Sequence, residues 1–185
     1  MNYRFSAFAS LLLAVVSLVS CIDPDQSQEI IFQNDLKAIE EYLEDNTLPT
    51  AKEFSVPSDG IYMFWETSVA PTVNDQILRL DTVKVNYTGR LLTNKVFDSS
   101  IEQVAKDNGV YNSQRNYAPM RTALGVGLIS GFEYATSLMR VGEKATVIFP
   151  SHLGYGSSGQ NNIPPNSPLI FEIELLEVTN GPNHQ

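Results

Sequence analysis

The sequence has a single cysteine, Cys21, and only two histidines in 185 residues. One cysteine excludes an internal disulfide in the folded part of the chain. His152 and His184 share no metal-ligand spacing with each other or with a carboxylate cluster, so no metal site is predicted. Lysine and arginine are also scarce, 12 against 21 acidic residues for a net charge of −9. This balance excludes the basic footprint of a nucleic-acid-binding protein.

The sequence also lacks a credible cofactor or nucleophile motif. The stretch "GYGSSG", which starts at Gly154, has the glycine spacing of a dinucleotide-binding loop. The prolines of the following "QNNIPPNSP" forbid the helix that such a loop must open. In "GVGLISG", Ser130 stands where the third glycine belongs. No G-x-S-x-G nucleophile motif occurs, and no cofactor is predicted.

The first twenty residues have the pattern of a bacterial lipoprotein signal peptide. Arg4 precedes the apolar run "FASLLLAVVSLVS", which is too short to span a bilayer comfortably. The run ends in "LVSC", which resembles a lipobox, so residues 1–20 are the predicted signal peptide and Cys21 is the predicted lipidation site and membrane anchor. The alternative is a stray cysteine in a signal peptide or membrane anchor. Because Ile22 rather than aspartate follows, the proteobacterial sorting rule places the protein in the outer membrane of the bacterial cell envelope.

Residues 21–59 are predicted to hold the anchor, an amphipathic helix over residues 27–45, and a linker with Pro and Gly punctuation. The apolar stripe of the helix consists of Phe32, Leu36, Ile39 and Leu43. Eight of the 21 acidic residues of the chain fall between residues 23 and 45, against the single basic residue Lys37. Two readings of the stripe stay open: the helix folds back on its own domain, or it forms a homodimer.

The remaining sequence predicts an α+β fold. Period-two alternation in "GIYMFWETSV", "TVKVNYTGRLL" and "KATVIFP" indicates half-buried strands. In "LIFEIELLEV", the residues Leu169, Phe171, Ile173 and Leu175 share one face of a strand. Only "LISGFEYATSLM" has helical periodicity in this part of the chain. Many strands with one short helix predict an antiparallel twisted sheet wrapped around that helix.

Five stretches from about Gly60 to Thr179 resemble the FKBP-type peptidyl-prolyl cis/trans isomerases in motif order and spacing. They read "VKVNYTGRL", "VFDSS", "ALGVGLISGFEYATSLMRVGEKATVIFP", "LGYG" and "NIPPNSPLIFEIELLEV". The resemblance implies an isomerase domain over residues 60–180 with an FKBP-like fold and no cofactor. Its implied substrates are proline-containing polypeptides.

Carried over position by position, the resemblance implies a proline pocket of aromatic residues and one acid. The implied catalytic residues are Tyr87, Phe97, Asp98, Phe132, Tyr155 and Phe171, and the implied substrate-binding residues are Met120, Leu128, Ile129 and Ile163. In this pocket Phe132 would form the floor, and Phe97, Tyr87 and Phe171 would form the walls. Tyr155 and the Ile163 N–H would donate hydrogen bonds to substrate carbonyls. Asp98 would hold the Tyr87 hydroxyl at the rim.

Three features depart from the pattern of the resembled family. Phe132 replaces a frequent tryptophan, and Met120 takes a rim position that is often aromatic. The connection "IEQVAKDNGVYNSQRNYAP", residues 101–119, is longer than usual. These departures concern rate and substrate preference rather than the fold.

Two functions follow from the resemblance. The first is a prolyl isomerase that assists folding in the envelope, and the second is a non-catalytic module that binds proline segments or partner proteins. A purely structural surface lipoprotein is a third reading. Because every implied pocket residue follows Gly60, residues 27–45 are predicted to be dispensable for activity on short peptides. Those residues would serve long unfolded clients instead, by dimerising or by extending the binding surface.

Overall fold

The computed structural model describes residues 24–184, so the predicted signal peptide and Cys21 lie outside the described residues. The chain begins with a long helix, α1 (Pro24–Asp45). The strands are β1 (Lys52–Val56), β2 (Ile61–Thr67), β3 (Thr82–Leu91), β4 (Val96–Ser99), β5 (Met120–Ala123), β6 (Lys144–Phe149) and β7 (Leu169–Thr179). Two short helices, α2 (Glu102–Asp107) and α3 (Ser130–Ser137), lie between β4 and β5 and between β5 and β6.

The seven strands form one antiparallel sheet in the order β1-β2-β6-β7-β3-β4, and β5 also pairs with β3. The predicted α+β class, with a short helix against an antiparallel sheet and an N-terminal helix before it, is confirmed. Strand β3 pairs with β7, β4 and β5. It therefore connects the motif "VKVNYTGRL" to three other stretches that carry predicted site residues.

One face of the sheet carries the main core, which α3 covers. Leu169, Phe171, Ile173 and Leu175 of β7 all lie in this core, as their alternation in the sequence predicts. From α3, Phe132 and Ala135 pack into the same cluster. Since a strand turns successive side chains to opposite faces, the period-two pattern alone determines which residues of β7 face the main core.

The opposite face of the sheet is covered by α1. Ile148 of β6 and Ile170 of β7 point away from the main core and pack with Ile39 and Tyr42 of the helix. Ile39, Ile148 and Ile170 are fully buried. The helix therefore folds back on its own domain, which is the first of the two readings left open. A homodimer through this stripe would require the intramolecular contact to open.

Two segments differ from their predicted structure. Residues 52–56, predicted as linker, form the edge strand β1 because they pair with β2 from Lys52↔Trp65 to Val56↔Ile61. Residues 102–107 form the additional helix α2, whereas a single helix was predicted in this part of the chain. Among residues 24–184, no helix is long and apolar enough to cross a membrane.

Candidate active site

Four of the predicted pocket residues form one aromatic cluster around Phe171. Its ring centroid lies 5.2 Å from that of Phe132, 5.5 Å from Phe97 and 6.3 Å from Tyr87. The Phe132 and Phe97 rings meet Phe171 edge to face, the geometry that aromatic quadrupoles favour. Phe149, which the sequence motifs do not indicate as a site residue, stacks on Phe171 at 5.9 Å. Phe132 and Phe171 are buried, so they form the base of the pocket.

A β-bulge explains how Phe97 and Asp98, neighbours on one strand, both contact the pocket. The β3–β4 register shifts between Gly89, which faces Asp98, and Arg90, which faces Val96. The extra residue in a bulge re-aims side chains that would otherwise alternate between the two faces. Gly89 is required here because a Cβ at this position would lie 2.4 Å from the Phe97 ring. The Gly in "VKVNYTGRL" therefore makes room for the phenyl ring of "VFDSS".

Asp98 is held by several donors and positions the Tyr87 hydroxyl. The hydroxyl donates a 2.6 Å hydrogen bond to Oδ2 of Asp98. The Ser99 backbone N–H donates to Oδ1 at 2.9 Å, and an Arg115 Nη1–H also donates to Oδ1. Both carboxylate oxygens therefore accept hydrogen bonds within the protein. This arrangement suits a group that orients the rim better than one that exchanges protons with a substrate.

Burial raises the pKa of both pocket tyrosines. Burial, followed by the hydrogen bond to Asp98, raises the pKa of Tyr87 to about 12, although Arg115 acts in the opposite direction. Burial and then the charge of Asp98 also raise the pKa of Tyr155 above its usual value. Both hydroxyls therefore keep their protons at neutral pH and remain hydrogen-bond donors.

Arg115 is a site residue that sequence reasoning missed. Its Nη2 donates to the Tyr87 hydroxyl at 2.9 Å, while Nη1 forms an ion pair with Asp98. The guanidinium also lies 5.1 Å from the ring centroid of Tyr117, which stacks on Tyr111. The 101–119 connection is thereby fastened to the pocket rim. The available signal was that Arg115 is the one arginine between Asp98 and Met120 in the sequence.

We expect Arg115→Met to lower kcat/KM for a short proline peptide by about threefold to tenfold, since a charge-assisted hydrogen bond contributes little more than this at a partly exposed site. The 101–119 connection should also become more sensitive to limited proteolysis, because its link to Asp98 and Tyr87 is lost. Arg121→Met is the matched control, since Arg121 is exposed and pairs with Glu177. Equal effects of the two changes would contradict a specific role for Arg115.

The remaining predicted residues surround the cluster. Met120 in β5, the pair Leu128 and Ile129 before α3, and Tyr155 are partly buried and pack against the core that contains the pocket, and Ile163 is buried in that core. The role predicted for the Ile163 N–H does not fit this geometry, because it donates to the Gln160 carbonyl at 2.8 Å. Ile163 closes a tight turn with Gln160, and the proline motif alone does not reveal this turn. Among residues 24–184, no backbone carbonyl accepts a hydrogen bond from the Ile129 N–H.

Comparison with known proteins identifies the same region of the chain. The sequence model of a family described as "FKBP-type peptidyl-prolyl cis-trans isomerase" matches residues 74–176. "FK506-binding protein 2" of Yarrowia lipolytica is 40% identical over 102 residues, 54% of this chain and 62% of that protein. The "FKBP-type 22 kDa peptidyl-prolyl cis-trans isomerase" of Escherichia coli is 39% identical over 101 residues, 54% of this chain and 42% of that protein. The chain thus spans less than two thirds of the length of these relatives.

Two solved structures extend the similarity beyond that region. A peptidyl-prolyl cis-trans isomerase from Pseudomonas syringae aligns with a TM-score of 0.56 and 27% identity, over 83% of this chain and 96% of that chain. FkpA from Escherichia coli aligns with a TM-score of 0.58 and 26% identity, over 85% of this chain and 67% of that chain. With more than half of the residues matched by the family's sequence model, and with the motifs assembled around one aromatic pocket, the chain belongs to the FKBP-type peptidyl-prolyl cis-trans isomerase family.

Proposed function

We propose that the protein catalyses cis/trans isomerisation of X-Pro bonds in polypeptides and assists protein folding in the bacterial cell envelope. The observation that carries this proposal is the pocket itself. Phe171, Phe132, Phe97 and Tyr87 form an apolar cluster, and its one acid, Asp98, has both oxygens hydrogen-bonded within the protein. Such a pocket suits a reaction that needs neither a nucleophile nor a proton acceptor.

Prolyl isomerisation has a barrier of roughly 20 kcal/mol and takes tens to hundreds of seconds without a catalyst. The barrier comes from amide resonance, which water favours by solvating the charge-separated planar form. An aromatic pocket excludes that water and fits the twisted amide better than either planar isomer. A millionfold acceleration requires about 8 kcal/mol of such differential binding. One neutral hydrogen bond contributes only about 1 kcal/mol, so shape and desolvation carry most of the effect.

The site residues have two roles: some form the apolar pocket, and others donate hydrogen bonds to the substrate. Phe132 and Phe171 form the base that receives the proline ring, and Phe97 forms a wall beside them. The Tyr155 hydroxyl keeps its proton and offers a hydrogen bond to a substrate carbonyl. The backbone N–H of Ile129 takes the donor role first predicted for Ile163, because the Ile163 N–H is already bonded to Gln160.

The proposal is tested with a protease-coupled assay on a four-residue proline peptide. The full chain should be used, because α1 packs on the sheet and β1 is one of its strands, so a fragment of the isomerase domain alone would lose both contacts. Catalysed isomerisation that is lost in pocket variants supports the enzyme. Binding of proline peptides without turnover would identify a non-catalytic binding module instead.

The location in the envelope is part of the same proposal and follows from the sequence alone. The signal pattern over residues 1–20 and the lipobox-like "LVSC" favour a lipid anchor on Cys21, with Ile22 directing the protein to the outer membrane under the proteobacterial rule. Two acyl chains or more make such anchoring stable, since each buried methylene adds about 0.8 kcal/mol.

We expect Cys21→Ser to accumulate as an unprocessed precursor without covalent lipid, because the thiol is the acylated group. Mass spectrometry of the wild-type and variant proteins from membranes measures both properties. A wild-type protein with an unmodified Cys21, or one cleaved elsewhere, would contradict the lipoprotein proposal.

A further inference from the structure

A groove lies between the N-terminal half of α1 and the isomerase domain. It is a cavity of about 520 Å³, distinct from the aromatic pocket. Its lining includes Glu29, Phe32 and Asp35 of α1, Asp59 and Ile61 around the start of β2, and Leu153 with Gly156 beyond β6. A cavity of this size accommodates a few amino-acid side chains.

The two walls of the groove are fastened to each other. The Asp35 carboxylate, only 4% exposed, accepts hydrogen bonds from the Ser151 N–H at 2.9 Å and from the Ser151 hydroxyl at 2.6 Å. The Phe32 ring meets the His152 ring edge to face at 5.3 Å. These contacts join the two walls, so the shape of the groove depends on α1 being docked.

The side chains that line the groove suit a ligand in which a positively charged group stands beside apolar groups. Glu29 and Asp59 supply exposed carboxylates, and Asp35 adds a buried one. Among the described residues, the lining contains no lysine or arginine, and its one basic side chain is His152. The lining also contains apolar side chains such as Phe32 and Leu153. Lysine and arginine match such a surface because their aliphatic stems pack on apolar groups while the charged ends reach carboxylates.

We propose that this groove binds a client-polypeptide segment in which lysine or arginine stands beside apolar residues, while a proline of the same client occupies the aromatic pocket. This inference rests on the proposed isomerase function. The two sites are adjacent along the chain, because Tyr155 packs at the pocket and Gly156 lines the groove. A second copy of the chain, with a net charge of −9, is repelled by an acidic groove, and residues 1–23 offer only Arg4 as a cation.

The test uses the full chain and two fluorescent 14-residue peptides with one central proline. The peptides are identical except that two lysines in one are glutamates in the other. Fluorescence anisotropy gives Kd for the wild type, for a groove variant with Glu29→Lys and Asp59→Lys, and for a control with Glu44→Lys and Asp45→Lys. All four changed residues are exposed, and both variants alter the net charge equally.

We expect the wild type to prefer the lysine peptide, and the groove variant to lose about fivefold to tenfold more affinity for it than the control does. Activity on a four-residue proline peptide should be unchanged, since that peptide reaches only the pocket. Equal losses in the two variants, or no preference for lysine, would overturn the inference. A dimer that dissociates only in the groove variant would also overturn it, since a second copy would then be the occupant.

The outcome is separable from that of the proposed function. If the wild type fails to isomerise the four-residue peptide, the isomerase proposal fails while anisotropy still reports whether the groove binds. If that peptide is turned over and the groove variant binds the lysine peptide as the control does, only the groove inference fails.

Discussion

Phe97→Ala is expected to lower kcat/KM for a short proline peptide by about 100-fold, a loss of about 2.7 kcal/mol in transition-state stabilisation. Phe97 packs edge to face on Phe171 at 5.5 Å and is itself partly exposed, so it separates the pocket base from solvent. Removing its ring lets water reach the amide, and the planar ground state is then solvated again. The measurement is the protease-coupled assay with protein shown to be folded by circular dichroism.

Asp98→Asn provides the comparison for Phe97→Ala. The amide keeps an acceptor for the Tyr87 hydroxyl but loses the charge that pairs with Arg115, so the rim loosens while the aromatic base stays intact. We expect a loss of only about threefold to tenfold. If Asp98→Asn cost more than Phe97→Ala in folded protein, desolvation would not be the main source of catalysis.

Deleting residues 24–45 is expected to destabilise the domain by at least about 5 kcal/mol, a value close to the entire stability of many domains. The deletion exposes Ile148 and Ile170 and removes the buried side chains of Ile39 and Tyr42. Burial of each large apolar side chain contributes about 1.5–3 kcal/mol, and the Asp35–Ser151 hydrogen bonds add to this. Activity on short peptides should therefore fall through unfolding, whereas the sequence predicted that the helix is dispensable.

A single substitution tests the same contact without removing the helix. Ile39→Ala should lower the free energy of unfolding by about 2–4 kcal/mol, because Ile39 is fully buried between α1 and the sheet. Ile30→Ala is the matched control, since Ile30 lies on the same helix and is 58% exposed, and we expect a change within about 0.5 kcal/mol. Urea unfolding measures both values. Similar values for the two variants would show that α1 is not docked as described.

The parts of the structure that could be predicted are those encoded by local periodicity. Alternation along β7 identified the buried face that carries Phe171. The same pattern places the apolar residue Ile170 on the opposite face, where another element must shield it from solvent. What covers it could not be deduced locally, because the Asp35–Ser151 contact joins residues 116 positions apart. Strand β1 was missed since a short edge strand is defined by its pairing rather than by its composition.

Within the site, the ring residues and the hydrogen bond between Tyr87 and Asp98 were predictable, and the other polar contacts were not. The motifs identify Tyr87 and Asp98, and the structure joins them by a hydrogen bond. Arg115 lies in the long connection, where no motif indicates which side chain returns to the rim. The Ile163 N–H was assigned a substrate contact, but turn geometry directs it to Gln160. Backbone donors depend on local dihedral angles that residue types do not determine.

The central claim is that the pocket accelerates isomerisation by desolvation and shape, with no proton transfer in the rate-determining step. The most direct test is the pH dependence of kcat/KM on a short proline peptide in the wild type and in Asp98→Asn. Tyr87, with its pKa raised to about 12, stays protonated far above neutrality, and both carboxylate oxygens of Asp98 already accept hydrogen bonds within the protein. We therefore expect a flat profile from about pH 6 to pH 8.5 in both proteins. A bell-shaped profile with a limb that vanishes in Asp98→Asn would contradict the claim, because Asp98 would then act as a general acid or base.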